Sequence, residues 1–191
     1  ALVVPNNYGS TPQNWCTSTR LPNDSRNNGT LTRMEVVKQV VSQLVDELAV
    51  SNDSNIGLAR FDSNSNGGFI NVPVGRAATV ASSFKTQLRS YYASGGTPLL
   101  ESYHEAALYL RGESPRYGNS TRGVIEDGTG SRTVNPWRSN STAFTGSSYK
   151  SPIENSCQKS NIIVLTDGLP NGDVGSNTAI QTLVAGKNTQ Y

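Results

Sequence analysis

The feature that most constrains the fold is the apolar run Asn161-Ile-Ile-Val-Leu-Thr166, which ends at Asp167-Gly168. A short run of this kind, bounded by turn residues, reads as a strand covered on both faces, as in a parallel sheet. Upstream lie stretches with helical periodicity. At 33–49, Met34, Val37, Val41, Leu44, Val45 and Leu48 recur every three or four residues, and Thr32 with Glu35 forms a capping box. At 77–92, Val80, Phe84, Leu88 and Tyr91 share a face. From Thr97-Pro98 onward, Leu99, Tyr103, Ala106, Ala107 and Leu110 do the same. Thr97 is read as the N-cap and Pro98 as the first helical residue. A last helix is expected over 177–185.

Between the first two helices, 56–61 and 69–74 read as strands joined by the polar turn 62–68, which favours an antiparallel hairpin. The turn opens like a calcium loop (Asp62, Asn64, Asn66, Gly67). Its twelfth position is Pro73, however, where a bidentate Glu is needed, so the hairpin reading is preferred. Two segments lack periodicity: a polar coil at 5–31 and a polar insert at 112–152, whose expected anchors are Val124, Ile125 and Trp137. Strands alternating with amphipathic helices predict one α/β domain spanning 1–191. Its sheet is doubly wound and mostly parallel, flanked by helices, with an antiparallel edge hairpin.

Composition narrows the function. Charged residues are 16 % of the 191 and the net charge is +2, against a nucleic-acid-binding domain. Asn, Ser and Thr fill 60 positions, a bias of secreted and cell-surface chains. No apolar run approaches the roughly 20 residues of a membrane span. The sole histidine, His104, excludes a two-histidine site and is read as a surface or helix-packing residue. The Asn-x-Ser/Thr sequons at Asn23, Asn28, Asn52, Asn119 and Asn140 follow from composition. Cys16 and Cys157 both fall in loops. Bonded, they would close a loop of roughly 140 residues, worth about 5 kcal/mol in the chain-entropy treatment; two free thiols, or partners elsewhere, remain the alternative.

In parallel sheets, ligands sit at the carboxyl ends of strands. Two features fall there: Gly95-Gly-Thr-Pro-Leu99, feeding a helix, and Thr166-Asp-Gly168. The hydroxyl of Thr97 and the carboxylate of Asp167 are hard oxygen ligands suited to Mg²⁺, Mn²⁺ or Ca²⁺. Helix capping alone is the bland account of Thr97, and a turn alone that of Asp167.

Taken in order, Arg33-Met-Glu-Val-Val-Lys-Gln-Val-Val41, Ile56-Gly-Leu-Ala-Arg-Phe61, Gly95-Gly-Thr-Pro-Leu99 and Ile163-Val-Leu-Thr-Asp-Gly168 resemble a von Willebrand factor A domain. More narrowly, Tyr149-Lys-Ser-Pro-Ile153 and Cys157-Gln-Lys159 resemble the PilY family of type IV pilus-tip adhesins. The resemblance implies a metal-ion-dependent adhesion site in which Thr97 and Asp167 supply the second and third loops. The first motif, Asp-x-Ser-x-Ser, is missing. Either it lies upstream of Ala1, which is the favoured expectation and makes the domain incomplete at both ends, or 1–4 is the strand and Asn6-Asn-Tyr-Gly-Ser10 a degenerate motif in which only Ser10 fits. The implied function is adhesion and pilus assembly rather than catalysis. Minor pilins and a host or abiotic surface would be the partners, in the periplasm and then at the pilus tip. Two alternatives stand beside it. One is a metal-assisted hydrolase with Asp167 as ligand and Asp173 as general base, against which no nucleophile-plus-base constellation is seen. The other is a metal-independent structural or mechanosensing domain.

Overall fold

The computed structural model describes residues 33–51, 53–62, 67–91, 96–119, 122–125, 134–166 and 177–185. The expected first helix is present as α1 (Arg33–Ser51). Thr32, its expected cap, lies outside the described residues. The buried side of α1 differs from the expected stripe: it carries Lys38, Ser42 and Val45, while Leu44 is 47 % exposed. The reason is a polar tether. Lys38 Nζ donates to the Arg89 carbonyl at 2.7 Å, placing a cation at the carbonyl end of a neighbouring helix, where the backbone dipoles favour it.

β1 (Asn55–Phe61) and β2 (Gly68–Arg76) pair antiparallel, as expected, with register shifts between Ile56 and Ala59. The Asp62 N–H donates to the Gly67 carbonyl (2.8 Å) and closes the connection. α2 (Ala77–Arg89) follows without a break and buries Ala77, Ala81, Phe84 and Leu88, one face at spacings of four and three. Phe84 and Leu88 join Val45, Ala81 and Tyr91 in the first core cluster, against which Val41, Ala49, Ile56 and Leu58 pack. An ion pair between Lys85 and Asp46 links α2 to α1 at the surface.

α3 (Leu99–Arg111) ends at Gly112, whose φ of 70° lets the chain turn back so that the Glu113 N–H reaches the Leu108 carbonyl (2.9 Å). Its buried face is Glu101, His104, Glu105, Leu108 and Tyr109. This corrects the expected stripe: Tyr103 is 42 % exposed, and Leu99, Ala106, Ala107 and Leu110 are only partly buried. His104 packs inside the protein, in line with a helix-packing role.

The described residues of the insert at 112–152 carry more regular structure than its composition suggests. β3 (Arg122–Ile125) and β4 (Val134–Trp137) pair antiparallel, and the expected anchors fall within them. A 3₁₀ turn (Ser141–Ala143) leads to a second small pair, β5 (Phe144–Thr145) and β6 (Ser148–Tyr149). Tyr149 stacks on Phe144 with centroids 4.8 Å apart and meets Tyr109 edge-on at 5.6 Å. Tyr149 and Ala143 thus complete a second core cluster with Ile70, Leu108 and Tyr109. The same segment blocks the outer edge of β2. Ser139 Oγ accepts from the Ile70 N–H (2.9 Å) and the Asn140 N–H donates to the Ile70 carbonyl (2.7 Å), while from α3 Tyr109 Oη accepts from the Val74 N–H (2.8 Å). An edge capped in this way no longer offers a template for strand pairing.

Residues 161–166 depart from expectation. They form no strand, and Ile163, Val164 and Leu165 are 81, 40 and 58 % exposed. A strand exists only where a second backbone meets its N–H and C=O groups, and no described segment pairs with this one. All described sheets are two-stranded and antiparallel. α4 (Asn177–Ala185) stands where it was expected. The architecture is therefore mixed helix and strand with small antiparallel sheets. No described helix is long and apolar enough to cross a membrane.

Candidate functional site

Thr97 is half-buried at the entrance to α3. It is not the helix cap. Pro98 occupies that position, with φ −76°, ψ 66° and no side-chain cap bond, while the Leu99 N–H donates to the Thr97 carbonyl at 2.8 Å. These are the dihedrals and the bond of an inverse γ-turn. The turn engages the Leu99 N–H locally, so the helix starts one residue later than the sequence suggests.

The other expected ligands, Asp167 and Ser10, lie outside the described residues, as do Asp173 and Cys16. Cys157 is exposed and has no disulfide partner among the described residues. Among those residues, no three His, Cys, Asp or Glu side chains converge. Thr97 offers a cation one neutral oxygen, which does not by itself fit a divalent ion that takes six or more oxygen ligands.

What the structure does bring together is a set of carboxylate clamps on α3. Glu101, 4 % exposed, accepts from the Gly67 N–H (2.7 Å) and from Tyr117 Oη (3.3 Å). One turn on, Glu105 is 1 % exposed. Its Oε2 accepts from the N–H groups of Arg116 (3.1 Å) and Tyr117 (2.9 Å). Its Oε1 accepts from the Gly118 N–H (2.9 Å) and from Tyr149 Oη (2.5 Å). Ser102 Oγ adds a bond to the Gly67 carbonyl (2.8 Å), and Ser139 Oγ lies 3.1 Å from Tyr149 Oη. Two glycines permit these approaches. Gly67 has φ +84°, and a Cβ there would lie 2.3 Å from the Tyr117 ring. A Cβ on Gly118 would lie 1.9 Å from Tyr149 Oη.

The electrostatics follow from this enclosure. Burial, and then the charge and hydrogen bond of Glu105, push the Tyr149 phenol far above its ordinary range. Burial also raises Tyr109, partly offset by the Val74 N–H. His104 moves down from its usual 6.5, chiefly because it is buried and next because of Arg116, while Glu105 and Glu113 oppose the shift. Four donors meet the two oxygens of Glu105, which fills the capacity of a carboxylate. That arrangement ties segments together and leaves no oxygen to act as a base.

Sequence reasoning did not find the clamps. Their one signal is spacing: Glu101, Glu105 and Leu108 stand four and three residues apart, on one helical face. No family model, no curated protein and no solved structure matches this chain. The class defined by the fold is a mixed helix–strand protein built around α3, with the hairpin β1–β2 and the 113–149 segment clamped to it.

Proposed function

We propose that this chain is the A-type domain of a PilY-like pilus-tip protein. It would act in surface attachment and in pilus assembly with minor pilins, first in the periplasm and then at the cell surface, and not as an enzyme. The observation that carries the reading is the position of Thr97. It stands half-buried in the loop entering α3, two residues before the first helical position. The order of helix, antiparallel hairpin, helix, Thr97 loop and helix also agrees with the resemblance.

On this reading, the apolar run 161–166, which forms no strand as described, would join a doubly wound, mostly parallel sheet where a partner backbone met it. The exposure of Ile163, Val164 and Leu165 supports it, because a contiguous apolar run is normally covered. Thr97, Asp167 and Ser10 would hold Mg²⁺, Mn²⁺ or Ca²⁺, and an open coordination position would take an acidic group of the ligand. A Cys16–Cys157 bridge would fix the N-terminal coil near the start of that strand.

Thermal melting with excess EDTA, and then with millimolar Mg²⁺ or Mn²⁺, tests the proposal. An ion that binds only the folded state stabilises it by about 2.7 kcal/mol at one hundred times its dissociation constant. The expected result is an upward shift that Asp167→Ala abolishes. An unchanged melt in a cooperatively folding sample would sink cation-dependent adhesion and leave metal-independent binding.

A further inference from the structure

We propose that His104 is an acid-operated latch: its protonation draws the Glu105 carboxylate away from the 116–118 backbone and releases the polar insert from α3. His104 is 6 % exposed, and its Nδ1 is buried without a hydrogen-bond partner. A neutral imidazole tolerates this, because one ring nitrogen carries only a lone pair. A protonated ring does not, because both nitrogens then carry N–H groups and a positive charge in a buried site.

The charges acting on the ring come from two places. Its own helix supplies Glu105, and the segment packed against α3 supplies Arg116 and Glu113. Tyr149 of β6 stays neutral throughout the relevant range, and α4 carries no ionisable side chain. Arg116 repels the imidazolium. Glu105, the next residue on the same buried face, attracts it, but both its oxygens are engaged by Arg116, Tyr117, Gly118 and Tyr149. The new charge therefore competes with the three backbone donors for one carboxylate. Losing those bonds frees more than a turn. The Gly118 carbonyl accepts from the Ser139 N–H (2.9 Å), and this pair forms the base from which the β3–β4 hairpin projects. Acid would thus change how the hairpin is held.

The sign follows from the direction of the shift. Burial and Arg116 hold His104 below its ordinary 6.5. Its contribution to closure is complete above the unfolded value and is lost as pH falls through the lowered folded one. The latch stands whether or not a cation binds at Thr97.

Amide hydrogen exchange at Arg116, Tyr117 and Gly118, corrected for intrinsic rates, tests it between about pH 7.5 and about pH 5. In the native protein, protection at these amides should fall by up to about tenfold per pH unit once protonation drives opening. Amides in α2 should keep theirs. His104→Gln should hold the 116–118 protection constant with pH. The sole histidine also gives one imidazole NMR signal in the unaltered protein, and its titration should coincide with the loss of protection. Unchanged protection in the native protein, an equal loss in His104→Gln, or a histidine titration displaced from the opening would each overturn the proposal. An equal loss in the variant would show that the opening does not depend on His104.

Discussion

Glu105→Ala is expected to destabilise the protein by about 3–5 kcal/mol, the range for removing one partner of a buried charged network. The change strands four donors at once: the N–H groups of Arg116, Tyr117 and Gly118, and Tyr149 Oη. The Gly118 N–H and Tyr149 Oη are buried, and each buried donor left unsatisfied costs about 1–3 kcal/mol; the part-buried N–H groups of Arg116 and Tyr117 cost less. Partial collapse and entering water reduce the sum, which is why the total stays in that range. Glu105→Gln separates charge from shape. Its amide oxygen still accepts, but its NH₂ faces backbone N–H groups that also donate, so an intermediate loss of about 1–3 kcal/mol is expected. Urea unfolding followed by circular dichroism reads both values. A loss below about 1 kcal/mol for the alanine variant would show that the 116–118 segment is not clamped to α3 in solution.

Phe84→Ala should cost about 3–5 kcal/mol, the usual penalty for truncating a buried aromatic. Phe84 is 6 % exposed and lies in a cluster with Val45 of α1, Ala81 and Leu88 of α2, and Tyr91, against which Ile56 and Leu58 of the hairpin pack. The cavity would form where three elements meet, and none of them can move in to fill it without leaving its other contacts. What then ties α1 to α2 is weaker: the thinned contacts of Val41, Val45 and Ala49, the Lys38–Arg89 bond, and the exposed Lys85–Asp46 pair, the last worth at most about 1 kcal/mol. The variant should therefore lose α1 protection in hydrogen exchange before it loses α3. A loss below about 1.5 kcal/mol would contradict the central place of this cluster.

The fold was legible in the sequence wherever the decisive interactions are local. α1 and α2 follow from periodicity, and the hairpin from its polar turn. The buried face of α3 was not legible. Hydrophobicity placed Tyr103 inward, whereas the structure buries Glu101 and Glu105, whose acceptors are satisfied by donors from the β1–β2 turn, the 116–118 segment and Tyr149. Those partners are distant along the chain, and no window-based reading pairs them. The insert misled for the same reason: Ala143 and Tyr149 enter the core as single residues without period. At 161–166, apolar composition states a need for cover but does not supply the partner. For the candidate site, the sequence located the Thr97 loop correctly and misplaced only the helix start, because an inverse γ-turn at Pro98 cannot be told from a first helical residue by composition. Asp167 and Ser10 fall outside the described residues, so their geometry relative to Thr97 rests on the resemblance.

On the proposed function, a divalent cation would bind beside Thr97. Manganese titration followed by amide NMR tests it most directly, because a paramagnetic ion broadens the signals nearest to it. Broadening should centre on the Thr97 amide and on Asp167, be relieved by EDTA and be absent in Asp167→Ala. Broadening centred instead on an exposed acid such as Glu154, or none at any manganese concentration in the folded protein, would contradict it.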